Sequence, residues 1–228
     1  MRERNKNILA IIFFIGIIAF AIHLVTAGNS FLNQRESLKA ENQQEFLEDG
    51  ERELSELINW ERGAALGDEN APVRMVNFST YYCPFCVQFK EDIFPTLKEE
   101  YIENGDLLYL YRDLGNPSDP IFQAAYCAQE EDLFWDYQDG LYEMDNIQSI
   151  EDDNLLSIAE RLEIDMDNFK DCLQEERYKD MVKLGSYEAG KLGVGGTPYI
   201  LIENVDLTGL RSLEDYKQVI EIKLNENN

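Results

Sequence analysis

Hydrophobic and polar positions divide this chain into three parts. Residues 8–27 form an apolar run without a formal charge, whereas residues 29–62 are polar and rich in Glu, Gln and Arg. From residue 63 onward, short apolar runs alternate with segments whose apolar residues recur at helical spacing. Because the first run is long enough to cross a membrane, the pattern predicts a flank and anchor at 1–28. A helical stalk is predicted at 29–62 and one folded domain at 63–228.

The charges before the apolar run predict its orientation. Arg2, Arg4 and Lys6 precede the run, and a positively charged flank stays in the cytoplasm. We therefore expect a single-pass protein of the cytoplasmic membrane with its folded domain outside the cytoplasm. The run is longer than the apolar core of a signal peptide, which favours an uncleaved anchor. Small residues at 25–27 leave cleavage open as the alternative.

The first half of the folded domain has the pattern of a strand–helix–strand unit. Alternation predicts a strand at 73–78, helical spacing predicts a helix at 85–101, and a short apolar run predicts a buried parallel strand at 107–111. Pro95 is expected to interrupt the helix because proline has no backbone N–H.

A helical insertion at about 118–192 separates this unit from a second one. The residues of the insertion have the spacing of short helices, expected at 121–130, 133–144, 154–162, 166–175 and 178–192. Asp119 and Asp165 are expected helix caps, and glycines at 193–196 end the helical stretch. Two strands and a closing amphipathic helix follow at 199–203, 205–210 and 213–224. The sequence thus predicts an α/β domain.

Composition narrows the range of functions. The 228 residues carry a net charge of −25, from 45 acidic and 20 basic side chains. Such an acidic chain is unsuited to binding nucleic acid through a basic surface. The glycine-rich stretch at 193–196 is not followed by the lysine of a phosphate-binding loop. We therefore predict no nucleic-acid partner, no cofactor and no metal.

The chemistry of the chain is expected at Cys83-Pro84-Phe85-Cys86, between the first strand and the first helix. A thiolate of Cys83 at the start of a helix would be stabilised by unpaired backbone N–H groups. Pro84 suits the first helical position. Cys86 could close a disulfide with Cys83, which predicts a redox couple. Taken alone, a Cys-x-x-Cys motif also fits a zinc site or a local structural bridge.

Three stretches together resemble a known family. They are the residues Asn77-Phe78-Ser79-Thr80-Tyr81-Tyr82 leading into the cysteine motif, Phe134-Trp135-Asp136-Tyr137 in the insertion, and Gly193-Val194-Gly195-Gly196-Thr197-Pro198. Their order resembles the thioredoxin superfamily, and more narrowly the extracytoplasmic DsbA-like thiol-disulfide oxidoreductases. The resemblance covers about residues 61–226. It implies a thioredoxin fold with an inserted helical domain, here preceded by the transmembrane helix and the stalk.

The resemblance also implies roles for individual residues. Cys83 and Cys86 are the expected catalytic pair. Pro198 matches the cis-proline of the family, and its neighbour Thr197 would pair with an extended substrate, so both are expected substrate-binding residues together with Phe85. Cys127 and Cys172 are expected to form a structural disulfide between two insert helices.

Two positions depart from the family pattern. Asn77 stands six residues before Cys83, where relatives commonly have a carboxylate that helps move the proton of the second thiol. An amide cannot accept that proton at neutral pH. Phe85 stands where strongly oxidising relatives have a histidine. These departures predict a couple that is less oxidising than the extreme members of the family.

The expected function is protein disulfide formation in exported proteins by a membrane-anchored oxidoreductase. Its expected partners are exported substrates with cysteines and a quinone-linked membrane protein that reoxidises the couple. A reductase or isomerase fed by a transmembrane reductant is the alternative in the same chemistry. A non-catalytic binding module and a metal site built from all four cysteines are alternatives of another class.

Overall fold

A computed structural model of the protein describes residues 57–144 and 152–227. The predicted anchor and all but the last residues of the predicted stalk lie outside these ranges. Within the described part of the chain, no helix combines the length and the apolar composition that a membrane span requires.

A mixed sheet forms the centre of the described residues. Its strands run in the order β1-β3-β2-β4-β5; only β2 and β3 are parallel, and all other neighbours are antiparallel. The strands are β1 (Ala64–Leu66), β2 (Val73–Ser79), β3 (Leu107–Asp113), β4 (Tyr199–Ile202) and β5 (Val205–Thr208). The predicted strand–helix–strand unit and the predicted C-terminal hairpin are thus confirmed.

The strand β1 is absent from the sequence prediction, which placed only a turn cluster between residues 63 and 72. β1 pairs with β3 from Ala64 opposite Tyr111 to Leu66 opposite Tyr109. With three residues, it is too short to display the alternation by which a strand is recognised.

The helical segment after β2 changes its winding twice. It consists of α1 (Pro84–Gln88), a π-helical turn (Phe89–Ile93), α2 (Phe94–Leu97) and a second π-helical turn (Lys98–Ile102). Pro95 lies in the first turn of α2, and the N–H of Phe94 bonds the carbonyl of Phe89. The predicted interruption at Pro95 is therefore present as a change from π to α winding.

The insertion contains five of the described helices, and the last helix of the chain packs on β2. The five insertion helices are α3 (Ile121–Ala128), α4 (Phe134–Tyr142), α5 (Asp152–Arg161), α6 (Met166–Gln174) and α7 (Lys179–Leu192), and the last helix is α8 (Leu213–Asn227). Asp165 caps α6, as predicted, by accepting from the N–H groups of Asp167 and Asn168. Asp119 lies one residue before the cap position of α3, and its Oδ1 accepts from the N–H of Ile121 at 3.2 Å.

Cys127 and Cys172 form a disulfide that joins α3 to α6. The two cysteines are 45 residues apart in the chain, so the bond closes a long loop of the unfolded chain. Cys83 and Cys86 are free thiols.

A buried ion pair fastens the start of the domain to the sheet. Arg112 of β3 binds Glu188 of α7 at 2.6 Å, and the same guanidinium donates to the carbonyls of Asn59 and Arg62. Ile58 packs in the core cluster beside Val76, Phe78 and Leu110, among others. The last residues of the range 29–62 therefore contact the domain.

Candidate active site

Cys83 and Cys86 occupy the first turn of α1 but differ in access to solvent. Cys83 is the cap residue in extended backbone conformation, and Pro84 takes the first helical position as predicted. The N–H groups of Cys86 and Val87 donate to the carbonyl of Cys83 at 2.9 and 3.1 Å. The side chain of Cys83 is half-buried, whereas Cys86 is only 1% exposed. An external sulfur can therefore reach Cys83 and not Cys86.

The loop before β4 brings Thr197 and Pro198 to Cys83. The peptide bond between Thr197 and Pro198 is cis, and the Cys83 thiol donates to the carbonyl of Thr197 at 3.4 Å. Phe85 lies in the cysteine motif with 58% of its surface exposed. The structure thus assembles Cys83, Cys86, Thr197 and Pro198 at one place, with the apolar ring of Phe85 at its rim.

The surroundings of the two thiols change their pKa values in opposite directions. Partial burial raises the pKa of Cys83, but hydrogen bonds with the Thr197 side chain and with the backbone of Cys86 and Phe85 outweigh this effect, so the net pKa is lowered. Burial raises the pKa of Cys86 to about 11, and a hydrogen bond with Ser79 only partly offsets it. At neutral pH the nucleophilic thiolate is therefore favoured on Cys83.

Asn77 lies on β2 beneath the thiols and carries no proton-accepting group. It is buried, and its Nδ2 donates to the hydroxyl of Tyr109 at 2.8 Å. The amide thus orders a neighbouring tyrosine of β3 and does not replace a carboxylate.

A family model described as thioredoxin matches residues 60–222. This match spans more than half of the 228 residues. The chain belongs to the thioredoxin family.

Named relatives of this thioredoxin-family chain narrow the assignment. It is 32% identical to a probable disulfide bond formation protein D of Bacillus anthracis, over 75% of this chain and 85% of the relative. It is also 28% identical to BdbD from Bacillus subtilis in its oxidised crystal structure, with a TM-score of 0.65, covering 71% of this chain and 92% of that one. The crystal structure of alpha-DsbA1 from Wolbachia pipientis has the same fold, with a TM-score of 0.66 at 23% identity and coverage of 77% and 98%. The chain is thus a DsbA-like protein disulfide oxidoreductase.

In this DsbA-like fold, the face of the sheet under the thiols is polar. The parallel register places Asn77 beside Tyr111 and Ser79 beside Asp113, and alternate residues of a strand share one face. Ser79, Tyr109, Tyr111 and Asp113 are all buried there. No role was predicted for Ser79 or Asp113. The signal that could have found them is a polar residue at every second position of two central strands.

The alternative of a metal site built from all four cysteines is wrong for this DsbA-like chain. Cys127 and Cys172 are bonded to each other on α3 and α6, whereas Cys83 and Cys86 lie in the first turn of α1. A tetrahedral thiolate site requires four free sulfurs around one centre.

Proposed function

We propose that this DsbA-like oxidoreductase forms disulfide bonds in exported proteins. One observation carries the proposal: Cys83 is accessible with a lowered pKa, while Cys86 is buried with a raised pKa. Stabilising the thiolate of the accessible cysteine stabilises the reduced couple, and this makes the disulfide an oxidant. The curated relative of Bacillus anthracis, named for disulfide bond formation, supports the same direction.

The reaction begins with attack of a substrate thiolate on Cys83 Sγ of the Cys83–Cys86 disulfide. A bond forms between the substrate sulfur and Cys83, and the electron pair of the broken bond remains on Cys86. A second substrate thiolate then attacks the substrate sulfur of this mixed disulfide. The substrate disulfide forms, and Cys83 leaves as the thiolate that its surroundings stabilise.

Thr197, Pro198 and Phe85 form the proposed substrate-binding surface. The backbone of Thr197 lies beside Cys83 and suits pairing with an extended substrate segment. The exposed ring of Phe85 offers an apolar contact next to the reacting sulfur.

The proposed place of action is the outer side of the cytoplasmic membrane. The charged flank at 2–6 and the apolar run at 8–27 support a single-pass anchor in that orientation. Reoxidation of the couple needs an electron acceptor, and we assign this role to a quinone-linked membrane partner.

A second candidate is a reductase or isomerase supplied with electrons by a transmembrane reductant. Phe85 favours it, because its ring has neither a charge nor a hydrogen-bond donor for the Cys83 thiolate. The two functions differ in the reduction potential of the couple. DsbA has a potential of about −120 mV and thioredoxin one of about −270 mV.

The test combines that potential with capture of substrates. We expect equilibration with glutathione to give a potential above about −220 mV, and a value near that of thioredoxin would favour the reductase. In Cys86→Ser, the buried sulfur that resolves the mixed disulfide is gone, so exported proteins with cysteines should accumulate on Cys83. The Cys83→Ser, Cys86→Ser double variant is the control. Failure to trap any adduct in intact cells would contradict the mechanism.

A further inference from the structure

The active-site face of the sheet contains a buried carboxyl group without a counter-ion of its own. Asp113, the last residue of β3, has an exposure of 0%. Its neighbour Arg112 points to the opposite face of the strand and is engaged by Glu188 at 2.6 Å. Neither oxygen of Asp113 makes a hydrogen bond of standard geometry with any described residue. A buried carboxyl in such surroundings is costly to ionise.

A row of hydroxyl groups leads from Cys86 towards Asp113. Ser79 hydrogen-bonds the Cys86 side chain, and its Oγ lies 3.5 Å from the hydroxyl of Tyr142. The Tyr142 hydroxyl lies 3.4 Å from that of Tyr111, and Tyr111 is near enough to Asp113 to affect the pKa of the carboxyl, although no hydrogen bond of standard geometry joins the two. Hydroxyl groups can each accept and donate a proton, so the row provides a path between the sulfur and the carboxyl.

Sheet geometry explains why these groups meet. Ser79 is the register neighbour of Asp113 across the parallel pair of β2 and β3. Tyr111 lies two residues before Asp113 on the same strand and thus on the same face. Tyr142 comes from the end of α4 in the insertion, so the row closes only when the insertion is packed on the sheet.

No other buried carboxyl of the described residues can serve Cys86 in this way. Among the residues that the structure describes, Glu188 is the only other acidic side chain that is buried. Both of its oxygens are occupied by Arg112 and by the N–H of Asn59. Asn77 is an amide and cannot exchange a proton at neutral pH.

We propose that Asp113 stores the proton that Cys86 takes up and gives back during thiol-disulfide exchange. When a substrate thiolate attacks Cys83, the Cys83–Cys86 bond breaks and Cys86 leaves as a thiolate. Ser79 gives this thiolate a proton and is resupplied through Tyr142 and Tyr111 by the carboxyl of Asp113. Asp113 regains its proton from one of those released by the two substrate thiols. In the reverse reaction, Asp113 receives the proton of the Cys86 thiol. Asp113 touches neither the substrate nor the reacting sulfurs, and it exchanges its proton with Cys86 only through the row of hydroxyls.

The acidities of the groups agree with this direction of transfer. Burial raises the pKa of Asp113 well above its usual value, because an ionised carboxylate is costly in a site that water does not reach. Burial raises the pKa of Cys86 to about 11, so its thiolate is a strong base that takes up a proton readily. The titratable and charged groups around Asp113 come from five elements. They are Tyr111 and Arg112 of its own strand, Tyr81 of the loop after β2, Tyr126 of α3, Tyr142 of α4 and Glu188 of α7.

The inference rests on the proposed Cys83/Cys86 exchange and is independent of its direction. The test uses the oxidised full-length protein and measures the rate at which dithiothreitol reduces the Cys83–Cys86 disulfide at several pH values. Each rate is divided by the concentration of dithiothreitol thiolate at that pH. Asp113→Asn keeps the shape of the side chain and removes the stored proton. Tyr126→Phe is the matched control, because it removes a buried hydroxyl that faces Asp113 but lies off the path to Cys86.

We expect Asp113→Asn to lower the rate at neutral pH by at least about tenfold, as for the loss of a general acid. The wild-type rate per dithiothreitol thiolate should depend less on pH than that of Asp113→Asn. That of Asp113→Asn should fall as the pH rises, because its protons then come from solvent. The pKa of Cys83 should be the same in both proteins. Rates of Asp113→Asn and Tyr126→Phe within twofold of each other at every pH would overturn the inference.

Two further measurements keep the inference testable if Asp113→Asn does not fold. Tyr111→Phe and Tyr142→Phe interrupt the row of hydroxyls without altering the carboxyl, and both should show the same fall of the rate with rising pH. Wild-type protein at pH 7 should show the infrared band of a protonated buried carboxyl; its absence would contradict the stored proton. A wild-type protein that exchanges no disulfides at all would instead refute the proposed function itself.

Discussion

At the scale of single residues, Thr197 influences the reactive sulfur of Cys83 although it lies far from Cys83 in the sequence. Its carbonyl accepts from the Cys83 thiol at 3.4 Å across 114 residues of sequence. Its side chain also forms a hydrogen bond that lowers the pKa of Cys83. The nucleophile is thus tuned by a residue of the loop before β4, in addition to the helix that carries it.

Thr197→Val should raise the pKa of Cys83, because valine has nearly the same shape but no hydroxyl to stabilise the thiolate. At a fixed pH below that pKa, the thiolate fraction and the alkylation rate of Cys83 should then fall. A pH titration of thiolate absorbance or of alkylation by iodoacetamide measures this change. Thr208→Val, at an exposed position of β5, is the control. An unchanged Cys83 pKa in Thr197→Val would refute this role.

Residues of the site differ in how far the sequence can predict them. Cys83 and Pro84 follow from local rules for the start of a helix. The place of Thr197 and Pro198 beside Cys83 depends on the fold and was predicted through family resemblance alone. Ser79 and Asp113 went unrecognised because a polar side chain on a buried strand has the same one-letter pattern as one that faces solvent.

At the scale of elements, α7 packs unusually close to β3. A Cβ atom at Gly185 would lie 2.5 Å from the carbonyl oxygen of Asp113, whereas a Cβ at Gly190 of the same helix would meet nothing within 4 Å. The missing side chain at residue 185 therefore sets the distance between helix and strand, and with it the position of Glu188 opposite Arg112.

Gly185→Ala should lower the free energy of unfolding by about 1–3 kcal/mol, because the methyl group collides with backbone that cannot turn away. Gly190→Ala should have no cost or stabilise the protein by up to about 1 kcal/mol, because alanine favours the helix more than glycine does. Chemical denaturation of both variants measures the difference. Equal stability of the two variants would show that the close approach of α7 to β3 does not constrain the fold.

Element order was predictable because apolar periodicity is strong over the long helices and over β2 and β3. The sequence did not reveal β1, which has three residues, or the two π-helical turns beside α2. Those turns depend on how the backbone accommodates Pro95 and packs on the sheet, and such tertiary effects leave no mark in residue spacing.

At the scale of the whole molecule, the large negative charge opposes folding. The net charge is −25, and like charges repel one another more strongly in a compact chain than in an expanded one. Most of the ion pairs between described residues are partly exposed to solvent, where a single pair contributes little stability.

Sodium chloride should therefore stabilise the protein as its concentration rises from about 10 mM to 0.5 M, because salt screens charges beyond a few ångströms. A gain of about 1 kcal/mol would raise the melting temperature by about 2–4 °C in a protein of this size. Thermal unfolding at each salt concentration measures the shift, with sucrose at equal osmolality as the uncharged control. A melting temperature that stays constant or falls with salt would contradict the prediction.

The unequal burial of the two cysteines gives the reaction a single order of events. A Cys-x-x-Cys motif reads the same in both directions, so the motif alone does not show which of its two sulfurs a substrate protein contacts first. Because Cys86 is buried, every mixed disulfide forms at Cys83, and only one substrate protein can be bonded to the site at a time. The second sulfur is never taken by another protein and remains available to release a substrate protein that stalls.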